Sequence, residues 1–344
     1  MSPTYNKISE NLLPKFKKIV GVGSFFTEKE HRWTYTFGST MIEPDWVPDL
    51  ILMPHNSQQI SEILKLANEN YIPVTPRGSG TSLSAGALTP YGGIVLDLNA
   101  MNKILNIDIE NNLVEVEPAV ICDELNEKLK LDRYFFPPDP GSSSVATIGG
   151  MVATNAGGVQ AFKYGVTKNY VQFLEVVLAN GKIMKLGTKV LKSVSSYNIK
   201  DLFIGSEGTL GVITKVGLKI RPLPKHRKLG FFIFDDIDKL TEAVLEIRRE
   251  GIVTNLFEFM DKVSVTAVFD FLGGEFVEYP KDYALMAEVD GPNTISVEEE
   301  FSILFDIIKK QQPIFYKIAK NLDEREILIG ARKAAFPAFS RIGP

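Results

Sequence analysis

The feature that most limits how this chain can fold is a set of three glycine-rich runs, each beside an apolar segment. They are Pro76-Arg77-Gly78-Ser79-Gly80-Thr81-Ser82, then Ile148-Gly149-Gly150-Met151-Val152-Ala153-Thr154-Asn155-Ala156-Gly157-Gly158, then Gly205-Ser206-Glu207-Gly208-Thr209-Leu210-Gly211-Val212-Ile213. Glycine has no Cβ, so such stretches let the main chain approach a ligand closely and turn left-handed without steric cost. Successive N–H groups in turns of this kind form concavities that bind anions. One run alone is compatible with a surface turn. Three in one chain point to a long, phosphate-bearing ligand gripped at several places.

The 344 residues are enough for two domains, and a hydrophobic content of 44% is ordinary for a folded globular protein. A formal net charge of −4 leaves no electrostatic footprint for nucleic acid. Cys122 is the only cysteine, which excludes an internal disulfide, an iron–sulfur centre and a cysteine-based zinc site. It also fits a reducing compartment. Residues 1–20 mix lysines with apolar residues and make no secretory signal. No run of ~18 apolar residues occurs, so no membrane span is expected. The expected location is cytoplasmic, with peripheral attachment to the inner face of the membrane through a partner as the alternative.

The spacing of Ile8, Leu12, Phe16 and Ile19 predicts an amphipathic helix over 8–20. Pro44, Pro48 and Pro54 punctuate the next stretch, which holds an apolar strand at 50–53. Ser57 suits an N-cap for a helix to about Asn68, with Ile60, Ile63, Leu64 and Ala67 on one face. Strands are expected at 72–75, 94–98 and 113–116 and a helix at 122–131, followed by an extended loop at Pro137, Pro138 and Pro140. Asn180-Gly181, between apolar runs at 173–179 and 183–186, is the strongest hairpin signal. A strand at 212–220 is stopped by Pro222 and Pro224, and the proline-rich, basic stretch 223–228 reads as a domain boundary. Beyond it, strands at 229–234, 253–259, 283–289 and 314–319 alternate with helices at 236–250, 261–271, 296–311 and 323–336. That pattern is an α+β or α/β domain of its own.

Gly78 and Gly80 follow a strand, as a Rossmann fingerprint requires, but Gly86, Pro90, Gly92 and Gly93 break the helix that should come next. A P-loop needs a lysine after its glycines, and none follows. Other residues carry a more specific resemblance. Pro73–Ser82, Tyr134–Gly165 (with Pro137-Pro138-Asp139-Pro140 and Lys163-Tyr164-Gly165) and Leu202–Pro224 together resemble the FAD-linked oxidases of the vanillyl-alcohol-oxidase, or PCMH, flavin fold. Within these the chain is similar to the glycolate oxidase flavin subunit, D-lactate dehydrogenase and D-2-hydroxyglutarate dehydrogenase. The resemblance runs from about Pro48 to Pro224 and more weakly to the end.

The resemblance implies an α+β protein. An N-terminal helical extension at 1–45 would precede a two-subdomain PCMH-type FAD-binding domain at 46–224. An incomplete ferredoxin-like α+β substrate-cap domain at 225–344 would follow. Pro76, Arg77, Gly78, Ser79, Gly80, Thr81 and Ser82 would wrap the FAD pyrophosphate. The second run would hold the adenosine half and the back of the flavin. Its cofactor residues are Thr147, Ile148, Gly149, Gly150, Ala153, Asn155, Gly157 and Gly158, flanked by Pro140, Gly141 and Gly165. Glu207, Gly211, Val212 and Ile213 would add contacts near the adenine and isoalloxazine rings. Some members tether FAD through a histidine. Here only His31, His55 and His226 exist and none lies in a motif, so FAD is expected to be non-covalent.

The implied reaction is oxidation of a small 2-hydroxy acid, with hydride passing from Cα to flavin N5; the electron acceptor is not identified. Arg332, in Ile329-Gly330-Ala331-Arg332-Lys333, matches the arginine that holds the substrate carboxylate in the family, and a guanidinium fork suits a carboxylate. The bland alternative is a helix arginine paired with an acid. Two departures stand out. Members place an aspartate three residues after an N-terminal tyrosine, whereas Tyr35 is followed by Gly38. The dehydrogenases also carry a histidine-rich segment that supplies metal ligands and a base, and this chain stops at Pro344 before any such segment. No catalytic base and no metal site are therefore identified. The expectation is a chain that binds FAD, turns over slowly alone, and is completed by a second subunit or chain. The rival readings are a non-catalytic flavin-binding subunit, an alkyl-transfer synthase and a cell-wall-precursor reductase; the Arg332 match argues against the last.

Overall fold

The computed structural model describes residues 5–39, 46–195 and 197–341. Pro44 and Pro344 lie outside them, as do residues 1–4 and the rest of 40–45 from the expected N-terminal extension. Contacts divide the chain into two units, Met1–Gly157 with Val166–Pro222, and Gly158–Gly165 with Leu223–Pro344.

The first unit opens with strands β1 (Phe25–Phe26), β2 (Leu50–Leu52), β3 (Val74–Arg77) and β4 (Ile94–Asp97), in the order β1-β2-β4-β3. β2, β4 and β3 run parallel, with Leu50 and Val74 both opposite Ile94. Parallel neighbours need a crossover, supplied by the helix Ser57–Glu69. Its cap is Asn56, one residue before the expected Ser57; the Asn56 side chain accepts from the Gln59 N–H, a bond worth about 1 kcal/mol. Ile60, Ile63, Leu64 and Ala67 pack on Leu50, Leu52, Ile94 and Leu96. The first helix is Leu13–Val20, shorter than the expected 8–20, because Pro14 stands in its first turn, where its missing N–H costs nothing. Strand β3 also lies two residues later than expected, because its ladder continues to Arg77 opposite Asp97. The first glycine run thus leaves directly from the strand's C-terminal end.

Next come β5 (Ile104–Asp108), β6 (Leu113–Val116), β7 (Tyr134–Phe135), β8 (Val171–Val177), β9 (Ile183–Gly187), β10 (Val212–Lys219) and β11 (Arg221–Pro222). Five of them form an antiparallel sheet, β5-β6-β10-β8-β9, and β7 pairs with β11. The Asn180-Gly181 turn joins β8 to β9 with Gly181 at φ 78°. Residues 148–154, at the start of the second glycine run, form a helix. Thr147 caps it by accepting from the Gly150 N–H at 3.3 Å, and left-handed Asn155 at φ 50° ends it.

The second unit contains β12 (His226–Phe234), β13 (Leu256–Met260), β14 (Tyr283–Gly291) and β15 (Phe315–Ile318), antiparallel in the order β13-β14-β12-β15. This is the ferredoxin-like strand order, with an extra helix, Lys262–Leu272, between β13 and β14. Side chains alternate across the sheet. Phe232 and Phe234 face a core with the helices Ile237–Arg249 and Thr294–Lys310. Phe231 and Ile233 face one with Lys262–Leu272 and Leu322–Lys333. Asp236, Asp261, Asn293 and Asn321 cap these helices. The α+β class read from the sequence holds. Among the described residues no helix is long and apolar enough to cross a membrane.

Candidate functional site

Beyond the end of β3, wholly within the first unit, lies a cavity of about 540 Å³ that all three glycine runs reach. Pro76 through Ser82 line it, with Pro140, Thr147, Gly149, Gly150, Ala153, Asn155 and Gly157 from the second run and its approach. Glu207, Gly211, Val212 and Ile213 line it from the third. Four residues read as cofactor contacts are elsewhere. Ile148 is fully buried in the core, Gly141 is off the wall, and Gly158 and Gly165 belong to the second unit. The wall also has residues outside the cofactor set read from the sequence, among them Ser84, Leu98, Ala146, Met151 and Gly208. Leu98 directly follows β4 and Met151 lies on the 148–154 helix, positions that only the fold brings together.

Several glycines are needed against the protein itself. A Cβ on Gly78 would stand 2.3 Å from Thr147 Oγ1, and one on Gly149 would stand 2.6 Å from Pro118 Cβ. Gly80 has φ 73°, and its Cβ would stand 2.6 Å from Arg77 Nη2. Ser79, Gly80 and Thr81 of this loop line the cavity. Among the described residues, none accepts a hydrogen bond from the N–H of Ser79, Gly80 or Thr81. Such donors suit an anion. Acceptors stand nearby. The Ser84 hydroxyl donates to Glu207 Oε2 at 2.9 Å, and the Ser82 and Ser84 hydroxyls are 2.8 Å apart. Glu207 is left-handed, φ 51°, held by its N–H donating to the Ala153 carbonyl at 2.8 Å.

Arg77 carries the loop. Its guanidinium donates to the carbonyls of Phe37 at 2.7 Å, Ala87 at 3.3 Å and Tyr35 at 3.4 Å, and stands 5.4 Å from the centre of the Tyr35 ring. The Tyr35 hydroxyl donates to Asp97 Oδ2 at 2.5 Å, and Asp97 is 2% exposed. Burial, then the Asp97 carboxylate, push the Tyr35 phenol well above its usual range. Burial pulls Arg77 below its usual value. Tyr35, lacking the aspartate three residues on, thus takes its acid from the end of β4.

In the second unit, Arg332 lies on the helix Leu322–Lys333 and donates through Nε to Glu258 Oε2 at 2.7 Å. Both side chains are partly exposed, 37% and 24%, and its Nη groups have no partner among the described residues. Two turns earlier on the same helix face, Arg325 is more buried. Its Nε and Nη2 bind the fully buried Glu288, which also accepts from Asn255. Buried Asp290 accepts from Lys163 Nζ at 2.5 Å and from the Tyr164 hydroxyl at 2.7 Å. Among the described residues no group of three or more His, Cys, Asp or Glu side chains is placed to hold a metal ion. None of the three histidines lines the cavity; His55 meets Ser24, His226 meets Thr294, and His31 lies against Phe26.

Comparison with known proteins agrees with this geometry. A family model described as an FAD binding domain matches residues 48–187, and one described as the C-terminal domain of FAD linked oxidases matches 223–344. The chain is 35% identical over 339 residues to the glycolate oxidase subunit GlcD of Bacillus subtilis (strain 168), covering 98% of this chain and 71% of that protein. It is 36% identical over 306 residues to the D-lactate dehydrogenase of Anaerostipes hadrus, covering 86% of this chain and 63% of that one. The chain therefore spans between about six and seven tenths of these relatives' lengths. Crystalline p-cresol methylhydroxylase shares the fold, with TM-score 0.77 at 20% identity over 90% of this chain and 65% of that one. FAD is the cofactor of this family. The cavity fits it: free N–H donors for an anion, hydroxyl and carboxylate acceptors for hydroxyls, and apolar walls at Leu98, Ala146, Met151 and Val212 for flat rings.

Proposed function

From the premise that this chain belongs to the FAD-linked oxidases, a family of oxidoreductases, we propose that it oxidises a small 2-hydroxy acid of the glycolate, D-lactate or D-2-hydroxyglutarate type. The observation that carries the reading is the cavity where three glycine runs meet around the Ser79, Gly80 and Thr81 amides, which have no acceptor among the described residues. The chemistry FAD supplies when bound is two-electron acceptance, at flavin N5, of the hydride lost from the substrate Cα. The chain's own residues hold and orient. Ser79, Gly80 and Thr81 offer N–H groups to the pyrophosphate. Gly149, Gly150 and Ala153 let the main chain lie close to the cofactor, and Gly211, Val212 and Ile213 face the rings. No histidine lines the wall, which supports FAD held without a histidyl bond. In the second unit the Nη donors of Arg332 take the substrate carboxylate, while Glu258 fixes the guanidinium through Nε. The name of the Bacillus relative, a glycolate oxidase subunit, supports a further subunit as partner.

The test is anaerobic mixing of the FAD-loaded protein with glycolate, D-lactate and D-2-hydroxyglutarate, followed by flavin absorbance. One of the acids is expected to perturb or bleach the flavin, and Arg332→Ala to require a higher concentration of that acid for the same response. A flavin indifferent to all three would sink the reading.

A further inference from the structure

The surroundings of Arg77 differ from those of the other cations that touch acids in this fold. Each described hydrogen bond of its guanidinium goes to a main-chain carbonyl, and no carboxylate is among those partners. Yet Asp97 is the residue paired with it across the β3–β4 ladder. A buried carboxylate this near a buried guanidinium would ordinarily close on it. Tyr35 stands between them. Its hydroxyl holds Asp97 Oδ2 at 2.5 Å, and the Asn99 N–H holds Oδ1 at 2.9 Å, so each carboxylate oxygen has a partner other than Arg77. The face of the same Tyr35 ring and its carbonyl receive the guanidinium. On its other side Arg77 lies under the loop, so close to Gly80 that a Cβ there would meet Nη2 at 2.6 Å.

We propose that Tyr35 is a positioning residue that keeps Asp97 from closing on Arg77 as a contact ion pair, so that Arg77 stands beneath the Gly78–Ser82 loop as a cation only partly compensated, at range, and available to the FAD pyrophosphate. Arg77 then acts chiefly through its field, since three of its five donors are committed to carbonyls. A field of this kind adds to the amide donors without occupying any position on the loop's outer surface. It also gives residues 35–39, far from the glycine runs in sequence, a part in cofactor binding; the Ser39 N–H donates to the Gly80 carbonyl at 3.2 Å. The proposal rests on the reading that this loop holds the pyrophosphate.

The experiment is FAD titration of the apoprotein by flavin fluorescence, with thermal unfolding of each apo variant as a check on folding. Tyr35→Phe keeps the ring and frees Asp97 to neutralise Arg77, so FAD affinity is expected to fall about tenfold, the size of a unit charge lost at several Å in a high effective dielectric. Adding Asp97→Asn removes the neutralising charge, and Tyr35→Phe/Asp97→Asn is expected within about threefold of the parent. A merely structural hydrogen bond would not be restored in this way. Asp97→Asn alone should bind FAD at least as tightly as the parent. Parental affinity in Tyr35→Phe, or a double variant as weak as Tyr35→Phe, overturns the proposal. If Arg77→Met and Gly80→Val both bind FAD as the parent does, the loop reading itself fails and the proposal falls with it.

Discussion

Arg77 and Arg332 are the same side chain held in opposite ways. Arg77 is in the first unit, surrounded by carbonyl oxygens and an aromatic face, with its nearest acid tied to a tyrosine. Arg332 is in the second, half-open, with one nitrogen on Glu258 and two left over. Neutral acceptors fix a guanidinium without cancelling its charge, so its influence reaches beyond contact. A carboxylate cancels much of the charge at range, so Arg332 can act only on a group that reaches its free Nη donors. One arrangement suits a long-range cation under a loop, the other a short-range fork for a small anion.

The largest effect should come from breaking the first arrangement. Gly80→Val forces a branched side chain into φ 73° and onto the Arg77 guanidinium. A left-handed residue costs ~1–2 kcal/mol and overpacking a further ~1–3 kcal/mol; a loop that relaxes to escape these costs must meet them again to hold FAD, so affinity should drop at least about thirtyfold. Flavin content after gel filtration reads this out, and full retention would mean the loop does not meet the cofactor. Next in size is Arg332→Ala, which should weaken 2-hydroxy-acid binding by about 1.5–3 kcal/mol while FAD stays in place. Unchanged binding would leave Arg332 as a helix arginine paired with Glu258. Smaller still is Glu258→Gln, which keeps an acceptor for Nε but removes the competing charge. The pair is partly exposed, so the gain in anion affinity should be below about 1 kcal/mol. Weaker binding would show that the carboxylate itself is required to orient the fork.

The smallest effect is alkaline. Tyr35 titrates above its unfolded value, so the folded state keeps a proton that the unfolded state loses. Its contribution to stability is complete below about pH 10 and is lost as pH rises from there through the folded value. Thermal unfolding of the parent should therefore show a decline above about pH 10 that is shallower in Tyr35→Phe. Identical slopes would mean the buried hydroxyl does not titrate differently in the two states.

Much of this was readable in the chain because it is local. The glycine runs, the Asn180-Gly181 hairpin and the alternation after 228 each depend on neighbours within a few residues. Helix starts shifted by a residue or a turn where caps and Pro14 decided them. Strand β5 went unread because it carries the mixed sequence Ile104-Leu105-Asn106-Ile107-Asp108 and is only partly buried. The site was legible as three runs but not as one surface. That Gly78 makes room for Thr147, Gly149 for Pro118 and Gly208 for Pro76 follows from folding alone. The same holds for the side chains. Arg77 looked like a phosphate contact because it sits in the run. Its bonds to Tyr35 and Phe37, some forty residues earlier, turn the guanidinium to other work.

The octapeptide Gly158–Gly165 has a practical consequence for modularity. It joins the second unit through Lys163 and Tyr164 on Asp290, although both its ends continue into the first. The second unit is therefore discontinuous in the gene. A single protease cut near Leu223 leaves the two units still connected twice. A chimaera that exchanges only 223–344 with a relative removes the buried Asp290 carboxylate and leaves Lys163 and Tyr164 behind without it. Recombination that respects this architecture must move two pieces of chain together, the long one and the eight residues that interrupt its neighbour.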